Sequence, residues 1–381
     1  MTQNADRALL PAGLRDILPP DAAFEARVAE EIIARFAAHG YERVKPPLIE
    51  FESSLLSGEG GSELAGETFR VMDPVSQRML AVRADMTPQI ARIATSRLEG
   101  EPRPLRLAYS GQVLRVKGSQ LRPERQFGQA GIELIGAAEP HADAEVIGLA
   151  AEALAELVPG ISVDLSLPTL VPALCAELGL NDVTVIELRR ALDHKDAAGV
   201  AALGGQAATL LGAMLSAAGP AERALSTLAS LRLPGQAARE LEKLSAVVDC
   251  VRADAPGVTL TVDPVENRGF EYHSGVTFTI FAQGHGFELG RGGRYLAGAA
   301  KEPSVGVTLF LDSILRAALV GEPVKRIYLP FGTKREVGEE MRKAGFVTLA
   351  GLAPVADPVS EAKRLKCAYR LDKGQAVKCS E

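Results

Sequence analysis

Apolar side chains recur near the start of the chain with the period of a helix. Behind Pro19–Pro20–Asp21 they fall at helical spacing, at Phe24, Val28, Ile32, Ile33 and Phe36. Residues at that spacing share one helix face. The pattern therefore predicts a helix that begins near Asp21 and ends before Gly40, a residue typical of helix C-termini.

Two longer segments, Leu105–Val116 and Arg125–Ile135, alternate apolar and polar side chains and predict strands. The polar stretch Lys117–Glu124 separates them. One face of the second strand carries, in order, Phe127, Gln129, Gly131 and Glu133. Because Gln and Glu stand there among small residues, we expect this face to form the floor of a polar pocket.

The remaining pattern predicts further strands and helices in separate groups. Elements before the middle of the chain are a hairpin of Thr68–Met72 and Arg78–Val82, helices at Thr87–Arg97 and Ala142–Leu157, and a strand at Ile161–Leu167. The region from Thr169 to about Val251 is helical. Strands then return at Leu260–Val265, Tyr272–Ala282 and Gly286–Gly290, and Val305–Leu319 is a strand that continues into a helix. Segregated helices and strands predict an α+β domain with an antiparallel-rich sheet.

The C-terminal part has a different organisation. Gly321–Pro323 predicts a linker between a core over residues 1–320 and a small segment over 324–381. In that segment strands alternate with helices, at Ile327–Leu329, Lys334–Lys343, Phe346–Leu349, Pro358–Lys366 and Cys367–Leu371. The alternation predicts a small α/β unit, whose length is marginal for independent folding.

Composition narrows the classes of function. The 381 residues are 47% hydrophobic and 24% charged, as in soluble globular proteins. The net charge of −6 counts against binding of a nucleic-acid backbone through overall charge, and so against a tRNA-handling protein. No segment offers the ~20 apolar residues of a membrane helix, and the polar N-terminus predicts no signal peptide.

Cysteine, histidine and glycine patterns indicate neither a metal nor a bound cofactor. The four cysteines are scattered and form no CxxC pair, so we expect neither a zinc site nor a disulfide framework. This use of cysteine is typical of a protein in the reducing cytoplasm. The five histidines lack metal-ligand spacing, and only His273 lies in a polar cluster. The run Gly290–Tyr295 lacks the context of a dinucleotide loop and predicts a sharp turn between strands.

Several charged residues at predicted strand ends could bind an amino acid. Asp85 and Glu133 could hold an ammonium group, and Arg115 and Arg268 a carboxylate, with Gln129 beside them. Each residue could equally belong to an ordinary surface ion pair. The residues by themselves leave both interpretations open.

The same segments resemble the catalytic core of histidyl-tRNA synthetases, a class II family, from about residue 9 to 320. The motifs that carry the resemblance are Leu14–Pro19, Gly40–Pro47 (motif 1), Leu114–Arg115 with Arg125–Glu133 (motif 2), Arg268–His273, and Gly292–Tyr295 with Val305–Gly306 (towards motif 3). The resemblance implies an antiparallel class II sheet flanked by helices and a dimer formed through motif 1.

The resemblance also assigns roles to individual residues. Asp85, Gln129 and Glu133 would contact the amino group and ring of histidine. Tyr272 and His273 would lie near the imidazole, whereas Arg115 and Arg268 would face the α-phosphate and the amino-acid carboxylate. These seven residues are the candidate histidine site.

Three positions depart from the synthetase pattern at the expected ATP site. Lys117 stands where motif 2 carries Glu, and Phe310 and Ser313 stand where motif 3 carries Gly and Arg. Phosphoryl chemistry depends on positioned positive charge. We therefore expect ATP activation to be lost. The C-terminal segment also lacks the length and the basic face expected for anticodon recognition.

A core that keeps the histidine motifs but loses ATP and tRNA chemistry resembles the family of ATP phosphoribosyltransferase regulatory subunits. That resemblance implies a non-catalytic, cytoplasmic protein without a cofactor. Its partner would be a short catalytic subunit for the first step of histidine biosynthesis, with histidine as the feedback effector. Histidine could bind in the old active site or at the junction with the partner. The alternatives are a divergent histidyl-tRNA synthetase and another amino-acid-dependent descendant of the core.

Overall fold

The computed structural model describes residues 9–57, 64–118, 122–266, 273–318 and 324–379. The chain divides into two compact units, Met1–Leu319 and Val320–Glu381. Among the described helices, none combines the length and the apolarity that crossing a bilayer requires.

The helices and strands of the first unit follow the sequence pattern closely. Its helices are α1 (Asp21–Ala38), α2 (Glu52–Leu55), α3 (Thr87–Ser96), α4 (Pro140–Ala155), α5 (Leu170–Glu177), α6 (Asp182–Asp193), α7 (Ala197–Ala202), α8 (Gly205–Ala217), α9 (Ala221–Ser230), α10 (Gly235–Asp254) and α11 (Leu311–Ala317). Its strands are β1 (Glu42–Arg43), β2 (Ile49–Phe51), β3 (Arg70–Met72), β4 (Met79–Val82), β5 (Leu105–Leu114), β6 (Gln126–Ile135), β7 (Ile161–Ser166), β8 (Gly219–Pro220), β9 (Thr259–Asp263), β10 (Thr277–Ala282), β11 (Gly290–Ala297) and β12 (Glu302–Phe310).

A nine-stranded sheet in the order β1-β5-β6-β12-β11-β10-β7-β9-β8 forms the centre of this unit. The run from β5 to β7 is antiparallel, while β1 pairs with β5 and β7 with β9 in parallel. Helices α1, α4 and α10 contribute buried apolar residues to the main core beside this sheet. The predicted α+β class, with a class II antiparallel sheet flanked by helices, is confirmed.

The two long predicted strands are present and pair with each other along their whole length. Strands β5 and β6 are antiparallel, and Tyr109 stands opposite Gly131. The predicted hairpin is also present: β3 and β4 pair, and β2 pairs with the other edge of β4. The helical stretch predicted between Thr169 and Val251 contains α5 to α10 and the two-residue strand β8.

Two predictions around the glycine-rich run are wrong. Gly286–Gly290 is not a strand, since β11 begins only at Gly290. The run Gly290–Tyr295 is not a sharp turn either, but lies inside β11 between two pairing partners, β10 and β12. The glycines serve close packing rather than a turn: a Cβ at Gly292 would overlap the carbonyl oxygen of Gly306 and the ring of Phe278.

The second unit is a small α/β structure. It contains β13 (Arg326–Leu329), α12 (Arg335–Lys343), β14 (Val347–Ala350), α13 (Pro358–Arg364), β15 (Tyr369–Asp372) and β16 (Gln375–Lys378). The strand order is β14-β13-β15-β16, with β16 antiparallel to β15. The sequence analysis did not predict β16, although Lys373 and Gly374 at positive φ make the two-residue hairpin turn before it. The predicted linker Gly321–Pro323 lies outside the described residues.

Candidate functional site

One face of the central sheet carries polar side chains and glycines in adjoining positions. Glu133 on β6 stands opposite Gly306 on β12, and Gly306 stands opposite Gly293 on β11. Side chains two residues apart point to the same face of a strand. The same face therefore also presents Thr308 on β12 and Tyr295 on β11.

Glu133 is the buried centre of this face, with 1% of its surface exposed. Its carboxyl group accepts hydrogen bonds from the hydroxyl groups of Thr87 at 2.9 Å, Tyr109 at 3.3 Å and Tyr295 at 2.8 Å. Burial raises the pKa of Glu133 to about 8, although these hydrogen bonds act in the opposite direction. A cation bound beside Glu133 would therefore stabilise the ionised form of its carboxyl group.

Asp85 and Gln129 are hydrogen-bonded to each other beside the start of α3. Gln129 donates from Nε2 to Asp85 Oδ2 at 2.9 Å and accepts at Oε1 from the backbone N–H of Met86 at 3.1 Å. The other oxygen of Asp85 accepts from the backbone N–H of Thr87 at 2.9 Å. Gln129 has no exposed surface, so it acts as a support that fixes the Asp85 carboxylate.

Glycines make room for these side chains. A Cβ at Gly306 would overlap the Glu133 carboxylate. A Cβ at Gly293 would come within 2.8 Å of His273 Cδ2, and one at Gly131 would meet the Tyr109 ring at 2.5 Å. Only glycine, which has no Cβ, lets side chains approach a strand this closely.

A small cavity of about 40 Å³ opens above this face. Its described lining includes the side chains of Asp85, Thr87, Glu133, His273, Arg291 and Tyr295. The cavity is small and is not fully enclosed by the described residues.

The predicted site residues are brought together in part. Asp85, Gln129, Glu133 and His273 line or support the cavity. Arg115 does not line it: the guanidinium pairs with Glu67 at 3.2 Å and donates to the carbonyl oxygen of Ala84 at 3.3 Å. Arg268 and Tyr272 lie outside the described residues.

The sequence analysis missed five residues of the site. They are Thr87, Tyr109, Arg291, Tyr295 and Thr308. Tyr109 could have been found from strand alternation, since it stands opposite Gly131 on the predicted polar face. Arg291, Tyr295 and Thr308 reach the site because β11 pairs with β12. This pairing was not expected, since the sequence predicted a turn at Gly290–Tyr295 instead of a strand.

The three positions of the expected ATP site lie in different surroundings. Lys117 is exposed on the loop after β5. Phe310 is 2% exposed and packs edge to face on Phe127, with ring centroids 6.1 Å apart. Ser313 has no exposed surface, and its hydroxyl group accepts from the guanidinium groups of Arg122 and Arg316, each at 3.4 Å.

Arg122 packs against Phe310, Asp312 and Ser313. Its guanidinium carbon lies 3.7 Å from the centroid of the Phe310 ring, and its Nε lies 3.3 Å from Asp312 Oδ2. Burial lowers the pKa of Arg122, while Asp312 and Glu288 favour its charged form. We call Arg122, Phe310, Asp312 and Ser313 the arginine cluster. In the part of the chain that the structure describes, no group of three or more Asp, Glu, His and Cys residues is suited to hold a metal ion.

Comparisons with known proteins identify the family of this chain. Residues 13–314 match the family model described as histidyl-tRNA synthetase. The ATP phosphoribosyltransferase regulatory subunit of Paramagnetospirillum magneticum is 61% identical over 372 residues, which cover 97% of this chain and 98% of the relative. A protein of Rhodospirillum centenum with the same name is 54% identical, over 95% of this chain and 94% of its own length.

The solved structures agree with these relatives. A Bacillus halodurans structure titled as an ATP phosphoribosyltransferase regulatory subunit/histidyl-tRNA synthetase superposes with a TM-score of 0.80 and 25% identity, over 93% of this chain and 96% of that one. With its histidyl-tRNA synthetase core and its nearly full-length relatives, the chain belongs to the family of ATP phosphoribosyltransferase regulatory subunits.

Proposed function

We propose that this chain is a non-catalytic subunit that supports a separate, short catalytic subunit of ATP phosphoribosyltransferase and makes it responsive to histidine. One observation carries the proposal: acidic side chains, Asp85 and Glu133, line a small cavity, whereas Phe310 and Ser313 at the expected ATP site are buried against Arg122. The printed names of relatives that span the whole chain support the same assignment.

The effector is histidine, bound on the face around Glu133. Asp85 supplies negative charge for the ligand's ammonium group. A cation beside Glu133 favours the ionised form of this carboxyl group, whose pKa burial raises to about 8. Tyr272 and His273 stay predicted to lie near the imidazole, and Arg268 near the carboxylate. The cavity is small, and we propose that β11, β12 or α3 shifts when histidine binds.

That shift provides a physical route to feedback. An effector changes activity only to the extent that it binds two arrangements of the complex with different affinity. Histidine would favour the arrangement of low activity. A typical coupling of about 1–3 kcal/mol corresponds to roughly 5–150-fold regulation.

Synthetase chemistry is absent in this proposal because the residues that bind ATP in the synthetase motifs are replaced in this chain. Phe310 and Ser313 are buried, and Arg122 packs on the Phe310 ring and donates to the Ser313 hydroxyl group. Lys117 stands on an exposed loop rather than in a pocket. The chain would therefore not charge tRNA, and it would act as a cytoplasmic protein that dimerises through its motif 1 region, Gly40–Pro47.

Reconstitution tests this function. The purified chain is mixed with a short catalytic subunit, and pyrophosphate release from phosphoribosyl pyrophosphate and ATP is measured. Turnover should rise when the chain is added and fall when histidine is titrated in. A catalytic subunit whose rate is unchanged by the chain, with and without histidine, would contradict the proposal.

The divergent-synthetase alternative is tested in the same preparation. Histidine, ATP and tRNA are supplied to the chain alone, and charged tRNA is measured against a histidyl-tRNA synthetase control. We expect no charging above background. Histidine-dependent charging would replace the regulatory assignment by the synthetase one.

A further inference from the structure

Arg291 is the only arginine or lysine among the described residues that line the cavity. It stands on β11 two residues from Gly293 and opposite Thr308 on β12, both of which also line the cavity. Arg294, three residues on, faces α4 instead and pairs with Asp143. Strand alternation thus directs Arg291 to the ligand face of the sheet.

The cavity therefore has a cationic wall and an anionic wall. Thr308 stands opposite both Arg291 and Gly131, and Glu133 lies two residues along β6 from Gly131. With strands about 4.8 Å apart and a rise of about 3.4 Å per residue, the backbones of Arg291 and Glu133 are separated by on the order of 12 Å. The cavity lies between these two side chains, both of which line it.

Neighbouring residues hold Arg291 at the end of the cavity nearest the arginine cluster. Its Nη2 donates to Glu288 Oε1 at 2.7 Å, and the same oxygen lies 3.6 Å from Arg122 Nη2. The guanidinium carbon of Arg291 is 5.8 Å from the centroid of the Phe310 ring. Because Glu288 contacts both Arg291 and Arg122, the position of Arg291 depends on the arginine cluster.

We propose that Arg291 binds the carboxylate of the amino-acid ligand and sets the preference of the site for amino acids over amines. This inference rests on the proposed binding of histidine in the cavity. A planar guanidinium offers two parallel N–H donors that match the two oxygens of a carboxylate. The opposite wall, with Asp85 and Glu133, then receives the ammonium group.

Histidine and histamine together test the assignment, because histamine lacks only the carboxylate. Calorimetric titrations of the full-length chain compare both ligands with the wild type, Arg291→Gln and Arg291→Lys. The wild type should prefer histidine. Arg291→Gln should weaken histidine about ten- to hundredfold, the loss of one charged hydrogen-bond pair, and change histamine by less than about threefold. Arg291→Lys should keep part of the preference.

Controls separate a local effect from misfolding and from failure of the site itself. Arg335→Gln removes the same charge at a side chain that is 86% exposed in the second unit, and should leave both affinities unchanged. The assignment is overturned if Arg291→Gln still prefers histidine to histamine as strongly as the wild type, or if it weakens binding of both ligands equally. It is also overturned if only Arg268→Gln, and not Arg291→Gln, weakens histidine binding. A wild type that binds neither ligand instead refutes the histidine site and the inference built on it.

Discussion

At the scale of single residues, the site is organised around one buried carboxyl group. Glu133 is held by three hydroxyl groups from three different elements, and its neighbour Gly306 leaves the space it occupies. The sequence analysis predicted Glu133 and Gln129 from the alternation along β6. It could not predict the hydroxyl partners, since Thr87, Tyr109 and Tyr295 reach Glu133 only through the tertiary fold.

The raised pKa of Glu133 predicts a pH dependence of stability. Its pKa is about 8 in the folded chain and near the ordinary 4.5 when unfolded, so folding favours the protonated form. The contribution of this group to the free energy of unfolding is present below about pH 4.5 and is lost as pH rises towards 8. Glu133→Gln should flatten this part of the stability curve, measured by urea unfolding between about pH 5 and 8. An unchanged slope would show that Glu133 is ionised in the folded chain.

The space at Gly306 gives a second prediction at this scale. Gly306→Ala places a methyl group on the Glu133 carboxylate, and we expect a loss of about 1–3 kcal/mol in the free energy of unfolding together with weaker histidine binding. Gly100→Ala is the matched control, because a Cβ there meets no atom within 4 Å, and should stay within about 0.5 kcal/mol. Equal stability of the two variants would contradict the packing described around Glu133.

At the scale of elements, periodicity predicted most of the fold and failed where glycine weakened the pattern. The helix α1 and the strands β5 and β6 follow from regular spacing of apolar side chains. Strand β11 does not, because Gly290, Gly292 and Gly293 give a strand no alternation to detect, and only pairing on both edges defines it. The short polar strand β16 was missed for a related reason: its hairpin partner, not its own sequence, makes it a strand.

The arginine cluster joins the segment before β6 to α11, and its energetics can be measured. Arg122→Ala leaves Asp312, 7% exposed, without its nearest cation. Breaking a buried ion pair from one side costs about 3–5 kcal/mol. We expect a loss of that order in chemical unfolding. Adding Asp312→Asn should restore part of it, because the second substitution removes the uncompensated charge; a double variant as unstable as the sum of both single variants would contradict the pairing.

At the scale of the whole molecule, the chain combines a synthetase core with a small α/β unit. The class II fold could be predicted from motifs that extend over the first unit, and the relatives confirm the family. The loss of the ATP site, expected from Lys117, Phe310 and Ser313, stays a prediction. That Arg122 packs on Phe310 required the structure, since nothing in the spacing of the loop before β6 places this side chain there.

The central claim is that the chain recognises an amino acid and not a nucleotide. Calorimetric titration of the purified chain with histidine, and separately with Mg·ATP, tests it most directly. We expect saturable heat for histidine that Glu133→Gln strongly weakens, and none for Mg·ATP. Saturable binding of Mg·ATP, above all with formation of histidyl adenylate when both ligands are present, would contradict it.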